Sequence, residues 1–147
     1  MKKALIFGIA IFMVVAFSGI APAEDPSIVG IWSMPALKGK DKGKERAQVE
    51  IFAKDGVYYG KIVRLSLLPA NALCRGCKDE KQNKPLLGMQ ILENLKKEAG
   101  RYVEGKICDF DEGKEYKCML TQITPDKLMV TASWFGFKES HYWTRIK

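Results

Sequence analysis

Gly30-Ile31-Trp32 opens the first strand-like segment after an apolar leader, and Trp143-Thr144-Arg145 lies in the last. An indole at the start and a guanidinium at the finish can stack only if a sheet curls round until its first and last strands meet. Such a cation–π contact contributes about 0.5–2 kcal/mol, depending on desolvation. Gly30, Trp32, Trp143 and Arg145 are therefore the expected closure residues of a barrel. Between these brackets apolar residues recur with a period of two, punctuated by turn signals, as in an antiparallel sheet.

The strands read in order. Ile28–Met34 is the first, and Ala47–Lys54 alternates, with Val49 and Ile51 on one face against Gln48 and Glu50. Asp55-Gly56 is a two-residue hairpin signal, because both central positions of a type I′ turn need positive φ. Val57–Leu65 returns, and a long irregular stretch, Ser66–Pro85, follows. Leu86–Leu95 reads as a strand, with a short helix over Leu86–Lys97 as the alternative. Arg101–Asp109, Lys114–Ile123, Leu128–Ser133 and Ser140–Ile146 complete eight strands, separated by Ala99-Gly100, Asp111-Glu112-Gly113 and Pro125-Asp126. Short turns between successive strands favour an all-β, up-and-down eight-stranded barrel over a sandwich with long Greek-key crossings. Gly-Lys-Ile occurs twice in mid-strand, at Gly60-Lys61-Ile62 and Gly105-Lys106-Ile107, where glycine marks a bulge or sharp bend.

The leader has the anatomy of a signal peptide. Lys2-Lys3 precedes an apolar run from Ala4 to Ile20, and Ala21-Pro22-Ala23 supplies a small-x-small cleavage site. Residues 1–23 are accordingly expected to be removed, leaving 24–147 as one exported domain with no membrane span, periplasmic or secreted. The formal net charge is +7, and much of the excess lies in Lys38-Gly39-Lys40-Asp41-Lys42-Gly43-Lys44-Glu45-Arg46. That run reads as a solvated loop, with a patch for lipid headgroups or polysaccharide as the sharper alternative. Nucleic acid is not an expected partner, since no aromatic is interleaved with these lysines to stack on bases.

Several short motifs recur in a fixed order: Gly30-Ile31-Trp32, Tyr59-Gly60-Lys61-Ile62, Pro85-Leu86-Leu87-Gly88 with Ile91-Leu92, Gly105-Lys106-Ile107 with Asp109, Gly113-Lys114 with Tyr116, and Trp143-Thr144-Arg145. In this the chain resembles the bacterial exported proteins of the DUF2147 family. The resemblance implies a lipocalin-like (calycin) barrel and carries no activity with it. Where many members have a Gly-Arg pair ahead of the last strand, this chain has Lys138-Glu139.

Four cysteines in an exported chain read as two disulfides. Cys74 and Cys77 form Cys-Arg-Gly-Cys, while Cys108 and Cys118 flank a hairpin turn. A redox-active Cys-x-x-Cys wants a helix N-terminus and a βαβ setting, neither of which the flanking residues suggest. A zinc ribbon wants its second pair two to four residues apart, which Cys108 and Cys118 are not. For the second pair, register decides. A three-residue loop makes Cys118 only the diagonal neighbour of Cys108, outside disulfide reach, and a five-residue loop sets the two opposite. The expected bridges are Cys74–Cys77 and Cys108–Cys118, with pairing of the long loop onto the hairpin as the alternative.

Catalytic constellations are not visible. His141 is the single histidine, and no nucleophile elbow, metal-binding histidine pair or phosphate-cradling loop occurs. Asp109, Asp111 and Glu112 lack the alternating ligand register of a calcium loop. The chain is thus expected to be non-enzymatic, with no cofactor and no metal. Trp134, Phe135 and Phe137 fall where polar turn residues would be expected. Either the strand continues and the rings fill the core, or they form a rim at one barrel end that lines a ligand mouth or seats a partner. Two functions follow. One is a barrel holding a small apolar or amphipathic ligand in the cell envelope; the other is a filled barrel acting through an outer face or a homodimer contact.

Overall fold

The computed structural model describes residues 27–147; the expected signal segment, 1–23, lies outside the described residues. Eight strands run in chain order: β1 (Gly30–Pro35), β2 (Glu45–Lys54), β3 (Val57–Leu65), β4 (Gln90–Glu98), β5 (Arg101–Asp109), β6 (Lys114–Thr124), β7 (Lys127–Trp134) and β8 (Phe137–Arg145). Each pairs antiparallel with the next, and β1 pairs with β8 through Trp32↔Arg145 and Ser33↔Thr144, so the sheet closes. The fold is an up-and-down antiparallel barrel.

Turn chemistry sets the register. Asp55-Gly56 and Ala99-Gly100 are two-residue turns with positive φ at both positions, 52° and 76° in the first and 48° and 76° in the second. This is the type I′ geometry whose twist matches paired strands. Leu86–Leu95 resolves into a turn followed by strand, not a helix: Met89 donates its N–H to the Leu86 carbonyl, and β4 then pairs on both sides. The β7–β8 connection is tighter than expected. Trp134 pairs with Phe137 across a two-residue turn, Phe135-Gly136, so β8 begins at Phe137 and not at Ser140.

The two Gly-Lys-Ile segments mark distortions, as expected. The ladder shifts register at Gly60 and again between Tyr102 and Gly105. Both glycines face inward. A Cβ on Gly60 would come within 2.8 Å of Leu92 Cδ1, and one on Gly105 would collide with the Leu95 side chain. A small barrel has no room for a side chain there.

Alternation along the strands fills the base of the barrel with Trp32, Val49, Ile51, Ile62, Leu92, Leu95, Leu120 and Leu128, all fully buried. The β1–β2, β3–β4, β5–β6 and β7–β8 connections share one end, here the open end. The longest of them, between β3 and β4, holds an isolated bridge, Leu73↔Pro85, and a single 3₁₀ turn, Asp79–Lys81.

One disulfide forms, between Cys74 and Cys77, and it pins that long connection. The expected Cys108–Cys118 bridge does not form; both thiols are free and buried. Parity explains the difference. Asp109 pairs with Lys114 across a four-residue loop, so Cys108 sits opposite Glu115, whereas Cys118 sits opposite Gly105. Positions 105 and 108 are three apart on one strand and so point to opposite faces. Cys118 points into the barrel with Leu120, and Cys108 lies on the outer face beneath the disulfide loop.

Candidate functional site at the open end of the barrel

The two ends of the barrel differ in kind. At the base, Trp32 is fully buried and donates its indole N–H to the Ile28 carbonyl at 2.8 Å. The Arg145 guanidinium lies 4.3 Å from the Trp32 ring centroid and donates to the carbonyls of Pro125, Val29 and Ser27 at 2.8–2.9 Å. Gly30, at φ 139°, is the backbone that lets Arg145 in; a Cβ there would sit 2.5 Å from Nη1. Three of the four closure residues thus build a plug with its polar atoms satisfied. The fourth, Trp143, is also buried, but it pairs with Leu128 and forms part of the wall of a cavity above the plug.

That cavity occupies about 330 Å³ and opens at the loop end. Met34, Ile107, Val130, Ala132 and Trp143 supply its apolar walls, and Lys38, Arg46, Glu139, His141, Tyr116 and Trp134 stand round its mouth. The wall residues come from the inward positions of β1, β5, β7 and β8, as strand alternation requires.

The charges at the mouth are largely paired with one another. The Arg46 guanidinium, 12% exposed, lies 3.9 Å from the Phe110 ring centroid and forms an ion pair with Asp111. Burial lowers the Arg46 pKa below its ordinary value, against the opposing effect of Asp111 and Asp109. Lys38 pairs with Glu112 at 3.2 Å, and Lys114 reaches the same carboxylate at 3.4 Å. Hydrogen bonds from these lysines hold the Glu112 carboxyl below its usual range. His141 turns inward, its Nε2 3.1 Å from Glu139 Oε1. Asp109 accepts the backbone N–H of Asp111 at 2.9 Å. The acidic residues of the β5–β6 turn are thus engaged by lysine, arginine and backbone, and no group of three metal-ligating side chains occurs among the described residues.

A larger groove, about 750 Å³, runs outside the barrel between the 3₁₀ turn and the β5–β6 hairpin. Lys81 spans part of it, donating to Glu93 at 2.9 Å and Glu115 at 3.0 Å. Burial works against the Lys81 ammonium, yet these two hydrogen bonds raise its pKa above the usual value. This groove is the more open of the two, and charged side chains are interspersed along it with Tyr116, Trp134 and Phe135. The smaller cavity combines apolar walls with a polar mouth and is the better ligand site.

Trp134, Phe135 and Phe137 are not core. Phe135 is 99% exposed, Phe137 67% and Trp134 37%. Trp134 packs against Tyr116 and Phe137, with ring centroids 5.4 and 6.4 Å away, at the lip of the cavity. Arg46 and Phe110 belong to the mouth although neither stands out in the sequence. Arg46 hides at the end of a lysine run, and only the proximity of β2 to the β5–β6 turn reveals its partner.

No curated protein matches the chain. A solved structure that it resembles is protein HP1028 from the human pathogen Helicobacter pylori, which belongs to the lipocalin family. The two share 22% identity at a TM-score of 0.69, over 82% of this chain and 84% of that one, a likeness of fold. Residues 30–145 match the family model described as an uncharacterized protein conserved in bacteria, DUF2147, and the chain belongs to that family.

Proposed function

We propose that this chain is an exported, non-enzymatic barrel that holds one small apolar or amphipathic molecule in its open end. The observation that carries this reading is the contrast between a filled base and a cavity of about 330 Å³ above it, within the size range of ligand pockets. Met34, Ile107, Val130 and Trp143 would take the apolar part of the ligand. The mouth would take its polar end, with donors on Lys38, Arg46 and His141 and acceptors on Glu112 and Glu139. Because these charges already pair with one another, a bare ion gains little there. A neutral or zwitterionic head on a short apolar body fits both zones.

The test has two parts. Native mass spectrometry of protein purified from its own cells should show a retained small molecule. Displacement of a naphthylamine fluorophore by that molecule should be lost in Ala132→Phe, which fills the cavity from its wall. Protein that carries no molecule and takes up no fluorophore would sink the reading and favour a filled barrel acting through an outer face.

A further inference from the structure

We propose that the open end docks on an anionic lipid surface, with Phe135 as its inserted tip. Three independent features converge on that end.

The first is the tip itself. Phe135 occupies the leading position of a type I′ turn at φ 42°, a site that favours asparagine, aspartate or glycine. An aromatic ring there is fully exposed and packs on nothing, so folding gives no reason for it. Trp134 and Phe137 stand behind it as a partly exposed aromatic base. Tryptophan concentrates at the level of lipid headgroups, with one edge in the apolar layer and one in water, and phenylalanine is among the side chains that interfacial elements bury in the acyl boundary.

The second is charge. Lys117 and Lys138 line the flank of the aromatic turn, and Lys40 and Lys42 project from the β1–β2 loop at the same end. Among the described residues none of the four has an acidic partner, whereas Asp41 is taken by Lys44, Glu112 by Lys38 and Lys114, Asp111 by Arg46, and Glu115, on the same flank, by Lys81. Glu139 lies 3.1 Å from His141 Nε2, which offsets its charge only when the imidazole is protonated. Asp79 and Glu80 lie along the outer groove beside the tip, with Lys78 adjoining them. The uncommitted charge of the loop end is thus mainly positive, and lysines near an anionic leaflet each add to binding.

The third is the further apolar surface at this end. Leu37, Leu67 and Leu68 are each more than a third exposed and line one depression beside the basic loop. The carboxylates that share it, Asp41, Asp109, Asp111 and Glu112, are engaged by Lys44, the Asp111 backbone N–H, Arg46 and Lys38 respectively. Apolar tips ringed by lysine are what an interfacial contact requires. A bilayer is also where an amphipathic molecule would be found, and this docking would face the cavity mouth toward it. The docking nevertheless stands on surface residues and not on cavity occupancy.

The chain offers its own reporter. Of its three tryptophans, Trp32 and Trp143 are buried and only Trp134 is exposed. Vesicles of phosphatidylglycerol and phosphatidylcholine in equal parts should shift Trp134 emission to the blue and carry the mature protein in flotation. Pure phosphatidylcholine vesicles or molar salt should do neither. Phe135→Asn, which suits the turn, should weaken vesicle binding by about tenfold or more while the barrel stays folded. Lys40→Glu with Lys42→Glu should weaken it by a similar factor, and Ala132→Phe should leave it unchanged. No binding of wild-type protein to the anionic vesicles, or binding indifferent to both surface variants, would overturn the assignment. Self-association that depends on Phe135 and proceeds without vesicles would assign the tip to a second copy and overturn it equally. Fluorophore uptake that persists in protein unable to float would leave the ligand cavity standing while the lipid contact fell.

Discussion

The Arg145 guanidinium stacks on the Trp32 indole at 4.3 Å while its three nitrogens donate to three backbone carbonyls from two separate segments. One side chain thereby ties the chain near its described start, the β6–β7 turn and the last strand together across the base.

Removal of either partner should therefore cost stability, and the losses should not add. Trp32→Ala empties a fully buried position and is expected to cost about 3–5 kcal/mol. Arg145→Ala leaves the Pro125, Val29 and Ser27 carbonyls without their donor and should cost less. Because both changes delete the same contact, the double mutant should fall short of the sum by about 0.5–3 kcal/mol. Denaturant unfolding of the four proteins in the cycle checks this; strict additivity would separate the stacking from the closure.

The free thiols give a chemical prediction. Without reductant, native protein should resist alkylation, and unfolded protein should expose two thiols, Cys108 and Cys118. Burial pushes the Cys118 thiol up to about 12 and raises that of Cys108, with Lys81 pulling the latter down and nearby carboxylates adding to the rise. A thiol whose pKa is raised by folding stabilises the native state below its unfolded value of 9.0, and that contribution is lost as pH climbs toward about 12. Alkali should accordingly destabilise the barrel within that window, and Cys118→Ala should flatten the dependence. Mass spectrometry after denaturing alkylation would show two labels; none would mean that the second bridge exists.

The strands, most turns and the closing bracket are legible in the amino-acid sequence because local features decide them. Period-two alternation and Asp55-Gly56 depend on nearest neighbours, and Trp32 and Arg145 sit at opposite ends of a meander that has one way to close. The Cys108–Cys118 pairing is not legible in the same way. It turns on whether a loop holds three, four or five residues, and each step of one flips a side chain to the other face. The mouth is harder still, because Met34, Arg46, Ile107, Phe110, Val130 and Trp143 come from separate segments that only closure brings together. The β7–β8 turn does carry a signal, Gly136 after Phe135, which a bulky ring in place of asparagine disguises.

The disulfide loop should depend on a glycine that lies outside it. Gly113 sits at φ 66° on the β5–β6 turn, and a Cβ there would run into the Gly76 carbonyl and the Cys77 amide. Gly113→Ala is expected to cost about 1–3 kcal/mol and to lift the loop from the hairpin. Lys81→Met should loosen the same loop more gently, by about 0.5–1 kcal/mol, since the Lys81 pairs with Glu93 and Glu115 are partly exposed. Amide exchange across residues 66–85 should rise in both variants while β6 and β7 keep their protection. Unchanged exchange in Gly113→Ala would show that the disulfide alone holds the loop.

The aromatic turn should separate stability from function. Phe135 is fully exposed in a left-handed conformation, so Phe135→Asn should raise stability by a few tenths of a kcal/mol up to about 1. Trp134→Ala with Phe137→Ala should stay within about 1 kcal/mol of wild type, because partly exposed rings lose little on truncation. Trp143→Ala, deeper inside the barrel, removes a buried wall of the cavity and should cost about 3–5 kcal/mol. Thermal and denaturant curves on these variants order them directly. A large loss from Phe135→Asn would mean that the ring packs in solution, against a partner or a second copy, and is not a free tip.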